Sequence, residues 1–536
     1  MFKQLLTPVG DSLPLSFVVA ALPILTVLAL LGVFRRPAWQ ASLGGLAVGL
    51  ATAVMVWKLP AGLALSAVAN GAVFALWPVM WIVLAALLVY NIAVVSGRFD
   101  AFRSWLLINM PNDRRIVLIV IGFCFGALLE GVAGFGTPVA ITSSLLILVG
   151  FPAIEALVFV LIFNTAPVAF GALGAPVTVL GSVTGLPTHA LAAMIGRQLP
   201  VMAAILPFYV MALYGGWRSI RALWPVLLVA GLSFAAGQFA ASNYIDYTLT
   251  DVLASLFSLL VTLAFLKVWR PAADPAFAIQ DEAALEVRAT DAPPAWQGWL
   301  PWATISATVV LWTTFKVANI GQQAIHWPAL DKAISITLYH DRPYAAVWTF
   351  QPLGAGTAIL LAALLTAVFV RLSPTGFFGC AAQTVRQAWK AVVTVMLIVG
   401  LAYLMNYSGL AYTLGLGAAS TGHAFVLLSP FLGWVAVMLS GSDTSGNALF
   451  GNLQVVAANQ LNLNPVLFAA TNSSGGVMGK MISPQNIATG VSVTGMTGRE
   501  GQIFARTFPH SIALTLILGA LVAAQQFLIP WIIPTH

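Results

Sequence analysis

Two acids, Glu130 and Asp443, stand where a charge is costly: each follows an apolar run and sits among glycines and hydroxyl side chains. Glu130–Ala140 reads EGVAGFGTPVA, and Asp443–Leu453 reads DTSGNALFGNL. Acids within membrane-type segments generally face a polar pathway or a partner. A carboxyl withdrawn from water takes up a proton more readily, so either acid can serve proton coupling, or it can pair permanently with a base and hold a hairpin closed. Gly131, Gly134 and Gly136, like Gly446 and Gly451, let the backbone approach a ligand or merely let helices pack closely. Clustered beside an acid in two places, they favour a site. Lys480 is the cation of the second polar segment; it either neutralises a substrate carboxylate or pairs with Asp443. Arg197 either faces the same cavity or snorkels to the surface. His189, His326, His340, His423 and His510 fall near the ends of apolar runs, as interfacial residues do. Cys124 and Cys380 have no neighbouring ligand cluster, which leaves no cofactor, zinc site or disulfide framework to expect.

The elements that must carry these residues are apolar runs of spanning length. In 536 residues only 7% are charged and 60% are hydrophobic, against roughly 25% charged in soluble domains. Bilayer is the natural solvent, and membrane lipids are the first partners. The net charge of +7 lies in short loops without stacking aromatics, which argues against nucleic acid. Spanning runs are expected at Leu13–Phe34, Ala38–Trp57, Ala72–Val95, Ala190–Tyr214, Ala222–Ala241, Val252–Val268, Leu300–Ala318, Leu353–Val370, Ala388–Tyr407 and Phe508–Ile533. The first is too long for a signal peptide and stays in the membrane.

Two regions, Ile116–Leu186 and Phe425–Thr497, are apolar but interrupted. Ile116–Leu129 and Pro138–Leu148 flank the first polar knot, and Phe425–Leu439 and Ala448–Ala458 flank the second. Runs this short suit re-entrant hairpins, here around 116–150 and 425–461. Helices unwound at Asn164–Pro176 and Asn472–Pro484 follow them, around 152–186 and 464–497. Unpaired backbone groups at such breaks are tolerable in a membrane where they line a cavity. A helix N-terminus exposed there suits a carboxylate.

The two regions also resemble each other. Glu130 and Asp443 are separated by as many residues as Tyr90 and Tyr403, and Asn164/Asn472, Gly171/Gly479 and Pro176/Pro484 share a slightly smaller offset. With Arg35, Arg36, Arg98–Arg115, Arg218, Arg221, the 270–299 segment, Arg371–Lys390, Arg499 and Arg506 on the cytoplasmic side, the copies run in opposite directions. Both termini, the Ser242–Asp251 link and the Gly321–Tyr344 loop then lie outside. The expected fold is an all-α polytopic membrane protein with two inverted-topology repeats. It has about twelve spanning helices, plus two re-entrant hairpins with broken helices. Residues 1–215 form the first repeat and 300–536 the second. Two linking helices and a cytoplasmic linker, Ala272–Trp296, occupy 216–299. Inverted repeats broken at matching positions point to a carrier site at the midplane.

Gly126–Ile141 (GALLEGVAGFGTPVAI), Ser440–Gln454 (SGSDTSGNALFGNLQ) and Ala470–Ala488 (ATNSSGGVMGKMISPQNIA) resemble signature segments of the bacterial lactate permease family. That resemblance implies a proton symporter of the cytoplasmic membrane for L-lactate, with D-lactate and glycolate, and kinship with the ion-transporter superfamily. It implies site residues Glu130, Gly134, Phe135, Gly136, Thr137, Asn164, Thr165, Asp443, Thr444, Ser445, Gly446, Asn447, Asn472, Ser473, Ser474 and Lys480. Hairpin amides, asparagines and hydroxyls would hold a small monocarboxylate anion while Glu130 or Asp443 carries the proton. A sodium-coupled carboxylate carrier and an anion channel are the rival readings. The chain has no HExxH, GxSxG or Walker A motif, and an enzyme is not expected.

Overall fold

The computed structural model describes residues 1–134, 136–272, 274–279, 294–496 and 498–534. Helices dominate because an apolar chain in lipid must pair its own N–H and C=O groups. Among the described residues nine helices are long and apolar enough to cross a membrane. The number is ten if Ala153–Phe163 and Val168–Thr184, bent by 65°, form one span. This is fewer than the twelve expected, for two physical reasons. Leu300–Thr314 and Ala355–Phe369 are 15 residues each, about 22 Å of helix where the hydrocarbon core needs about 30 Å. The runs at Ala190–Tyr214 and Ala222–Ala241 are two helices that follow each other without a loop in Thr188–Ala240, bent at Gly216, whose φ is 63°, and so count as one in that number.

The leading arm of each hairpin is longer than the apolar pattern suggested. Arg114–Val132 and Gly422–Ser440 are 19 residues each, because the first helix continues through Glu130 and the second starts earlier, at Gly422. The first hairpin turns at Gly134 and Gly136, with φ of 52° and 85°, and returns as Thr137–Leu148. The second turns at Gly441, φ 70°, and returns as Asp443–Gln460, whose N-terminus is capped by Ser442 Oγ accepting from the Ser445 N–H. Ala153–Phe163 and Pro465–Lys480 follow the two hairpins, and each meets a break before a further helix. The first break holds Ala172, Leu173 and Gly174 at φ of 46°, 56° and 74°. Left-handed geometry costs roughly 1–2 kcal/mol for each non-glycine residue, so the surrounding packing must hold it. The second break is confined to Met481–Ser483, because the helix expected to unwind from Asn472 stays intact to Lys480, and it is followed by Pro484–Val493, capped by Ser483.

Outside the helices, Gln323–His326 pairs antiparallel with Val347–Phe350, and Phe2–Lys3 adds parallel to Ile334–Ile336. Gln4 Nε2 donates to the carbonyls of Asn406 and Tyr407 at 2.8 and 3.0 Å, fixing the N-terminal strand to the helix Pro374–Ser408. On another face Arg115 pairs with Asp113 and Asp274, and Arg218 also reaches Asp274. The base of the first hairpin, the bend after Gly216 and the start of the linker are thereby gathered together. The linker's residues 273 and 280–293 lie outside the described residues.

Gly422–Ser440 and Pro465–Lys480 pack backbone to backbone. A Cβ on Gly433, Gly475 or Gly479 would collide with the carbonyl oxygen of Asn472, Pro430 or Trp434, the close approach that small residues permit in membranes. Gly433→Val is expected to lower the thermal midpoint of the detergent-purified protein, at an overpacking cost of about 1–3 kcal/mol. Gly62→Ala, where nothing lies within 4 Å of the added Cβ, should leave it unmoved. Equal midpoints for the two variants would contradict the contact.

Candidate functional site

The hairpin turns and helix breaks converge. In the first region a Cβ on Gly134 would stand 3.2 Å from that of Ala172, and one on Gly171 would stand 2.9 Å from Glu130 Oε1. In the second, a Cβ on Gly441 would meet Gln485 Oε1 at 2.7 Å and Ser483 Oγ at 3.1 Å. Across the regions, Asn447 Nδ2 donates to the Pro176 carbonyl at 3.2 Å. A Cβ on Gly136 would stand 3.2 Å from Thr489 Cγ2.

At this junction Lys480 Nζ lies 2.6 Å from Glu130 Oε1, and both residues are buried. Asn164 Nδ2 donates to the other oxygen, Oε2, at 3.0 Å. Lys480 therefore pairs with Glu130, an arrangement not among the two expected. Lys480 sits in the last turn of its helix, where a cation is favoured by the helix dipole. The break immediately beyond lets the ammonium reach the first hairpin.

Asp443 receives Ser473 Oγ at 2.5 Å and Asn447 Nδ2 at 3.2 Å, both on Oδ2. Its Oδ1 is buried and has no hydrogen-bond partner among the described residues. The expected correspondence of Glu130 with Asp443 does not hold in position. Glu130 precedes its turn, in the helix Gly126–Val132, whereas Asp443 follows its own and opens the returning arm. Glu130 thus stands at a helix C-terminal end, and Asp443 at an N-terminal one where backbone donors are free.

The remaining predicted residues divide by role. Asn472 Nδ2 donates to Asn447 Oδ1 at 3.0 Å and to the Gly446 carbonyl at 3.3 Å, and its own Oδ1 accepts from Gln454 Nε2 at 3.3 Å. These groups satisfy one another and brace the second hairpin. Thr165 Oγ1 donates to the Ile162 carbonyl at 2.7 Å, closing its own helix end. Ser474 Oγ is buried without a partner among the described residues. Thr444 and Ser445 are buried in the first turn after Ser442. Phe135 lies outside the described residues, as does the side chain of Thr137. Arg197 is drawn elsewhere: its Nε donates to Asn243 Oδ1 at 3.0 Å and its guanidinium to the Ile532 carbonyl.

A cavity of about 900 Å³ leads to the second turn. Ser440, Ser442, Ser445, Pro484 and Gln485 line it, and so do Arg35, Arg36, Lys390 and Glu500. Two helix N-termini, at Asp443 and Pro484, therefore meet the same space. Sequence reasoning missed Ser442 and Gln485, although a serine directly before a helix start is a capping signal. It also placed Asp251 in an external link. Asp251 is in fact 1% exposed, in the first turn of Thr250–Val268, against Gly131.

A family model described as L-lactate permease matches residues 16–529. This chain belongs to the L-lactate permease family. It is 41% identical to the L-lactate permease of Escherichia coli (strain K12), over all of both chains. It is 38% identical to the L-lactate permease of Bacillus subtilis (strain 168), covering 99% of this chain and 100% of the relative. The glycolate permease GlcA of Escherichia coli (strain K12) is 39% identical over 98% of each chain. As a member of the L-lactate permease family with several membrane spans, the protein is a transporter and not an enzyme.

Lys480→Met in this permease leaves the Glu130 carboxylate buried without its cation. The variant is expected to lose about 3–5 kcal/mol of stability, and Glu130→Gln combined with Lys480→Met should regain most of it. Thermal unfolding of the three proteins in one detergent checks this; additive losses in the double variant would show that the pair is not coupled.

Proposed function

We propose that this permease takes up L-lactate, with D-lactate and glycolate, together with protons across the bacterial inner membrane. The observation that carries the substrate class is full-length similarity to both L-lactate and glycolate permeases. Those substrates are small 2-hydroxy monocarboxylates, and the cavity lining at the second turn offers what one needs. The first-turn amides after Ser442 suit a carboxylate, and Ser442, Ser445 and Gln485 can bond the hydroxyl. Gly134, Gly136, Asn164 and Asn472 complete or brace the site from behind, and Lys480 supplies the buried positive charge.

Proton coupling follows from the position of Asp443. An anion held at the first-turn amides lies beside this carboxyl, and two negative charges at such range repel strongly where water is scarce. A proton on Asp443 removes that repulsion, so proton and anion load together. Glu130, tied to Lys480, joins the cycle when the ammonium is drawn toward the anion. The two carboxyls and the single lysine thus link charge to occupancy.

The architecture we infer is a pair of inverted repeats, 1–215 and 300–536, joined by 216–299. Support comes from the shared order of hairpin, straight helix, break and short helix, and from the convergence of all four irregular segments. Leaving out the hairpin arms Arg114–Val132 and Gly422–Ser440 as re-entrant, counting each broken helix once, dividing Thr188–Ala240 at Gly216 and letting Leu300–Thr314 and Ala355–Phe369 tilt or thin the bilayer gives twelve crossings. With the basic groups around Arg115, Arg218 and Lys390 cytoplasmic, both termini are external.

In proteoliposomes with an imposed pH gradient, L-lactate accumulation is expected to persist when Na⁺ is replaced by choline. It should be abolished by Asp443→Asn or Glu130→Gln. Uphill uptake retained in both variants would refute the assignment of the proton, and collapse on Na⁺ removal would favour the sodium-coupled reading.

A further inference from the structure

Asp251 ends a segment that reads in the sequence as an external link, yet it is buried in a demanding position. Both of its carboxylate oxygens are buried and have no hydrogen-bond partner among the described residues. Its neighbour Thr250 Oγ1 is likewise without one. The absence of a side chain at Gly131 is what admits it: a Cβ there would stand 2.9 Å from the Asp251 Cβ and 3.3 Å from the Val252 nitrogen. Asp251 is thereby lodged against the residue that follows Glu130.

The charged groups nearest in the fold are Glu130, the residue before Gly131, and Lys480, which pairs with it. Thr250–Val268 also packs on Thr188–Ala240, on Gly171–Thr184 and on Leu300–Thr314, and among the described residues none of these adds a further charge to that pair. Asp246, one turn earlier, is occupied with the Thr248 N–H and hydroxyl at 2.8 and 2.7 Å and with Thr313 Oγ1 at 2.7 Å. Tyr247 is turned to Thr178 Oγ1 at 3.1 Å.

The buried cation Lys480 is thus taken up by Glu130, and Asp251, lodged against Gly131, is left without a counter-ion among the described residues. Ionised, Asp251 would be a buried charge without a counter-ion, which is strongly destabilising. Neutral, it is a carboxylic acid in an apolar niche.

We propose that Asp251 is a third carboxyl of the coupling set, holding a proton in this conformation and releasing it during the transport cycle as Lys480 leaves Glu130. The exchange balances: as the ammonium leaves Glu130 for the anion, the O–H proton of Asp251 passes to the Glu130 carboxylate, so that Asp251 becomes the carboxylate and Glu130 the neutral acid. No oxidant or reductant is involved. The inference rests on the proton-coupled reading of the carrier and adds a residue to it.

The test compares wild-type protein and Asp251→Asn in proteoliposomes, using labelled L-lactate under an imposed pH gradient and in counterflow. Asparagine matches the shape of the neutral acid but cannot release a proton. The expected result is collapse of the accumulation ratio toward unity in Asp251→Asn, with counterflow reduced far less. Infrared spectra of the two proteins at neutral pH should differ by the loss of one protonated-carboxyl band. Wild-type accumulation and an unchanged carboxyl band in Asp251→Asn would overturn the inference while leaving the proton reading intact. Wild-type uptake indifferent to the pH gradient would overturn both. If Asp251→Asn fails to assemble, Asp251→Glu keeps a titratable group in a displaced position: a shifted pH profile of uptake supports the proposal, and a wild-type profile refutes it.

Discussion

The contact between Lys480 and Glu130 joins segments 350 residues apart in the chain, and most of the junction depends on it. Each partner alone would be a charge withdrawn from water at a cost of several kcal/mol. Together, with Asn164 on the second carboxylate oxygen, they make a neutral, hydrogen-bonded unit. Because Glu130 ends one helix and Lys480 ends another, the pair also pins two helix C-termini side by side. Lysine there relieves the partial negative charge of both ends. The break at Met481–Ser483 leads directly to Pro484 and Gln485, which line the cavity.

Around this pair the two halves solve one problem with different chemistry. A hairpin turn in a membrane leaves N–H and C=O groups without partners. In the second half Ser442 and Ser483 cap the helices that open at the turn and at the break, and amide side chains of Asn447, Asn472 and Gln454 knit the arms together. In the first half the equivalent work falls to glycine turns and to the left-handed residues Ala172, Leu173 and Gly174. The cavity reaches the capped, serine-rich half. The first turn of the helix beginning at Asp443 and the hydroxyls of Ser442 and Ser445 border that cavity, while Glu130 and Lys480 are buried away from it.

Much of this was legible in the residues. The scarcity of charge, the apolar runs and the two interrupted regions identify a helical membrane protein, and the long motifs Gly126–Ile141 and Ala470–Ala488 identify the family. Glu130, Asp443 and Lys480 stood out as charges inside apolar segments. The pattern misjudged lengths wherever a helix continues through a polar residue, as at Arg114–Val132, while the two runs it placed on either side of Arg218 are two helices that meet at the Gly216 kink. Apolarity reports where lipid contacts the chain, and hydrogen bonding decides where a helix stops.

Residue types and their order therefore determined the solvent, the helical class and the segments that break, since these follow from local hydrophobicity and from the conformational limits of glycine and proline. Partnership was decided only by the tertiary structure. Lys480 meets Glu130 and not Asp443, Asp251 is buried against Gly131 and not left in a link, and the two acids stand on opposite sides of their turns. Each of these facts depends on which helices cross at contact distance. That is set by packing among segments hundreds of residues apart, on which spacing along the chain places no constraint.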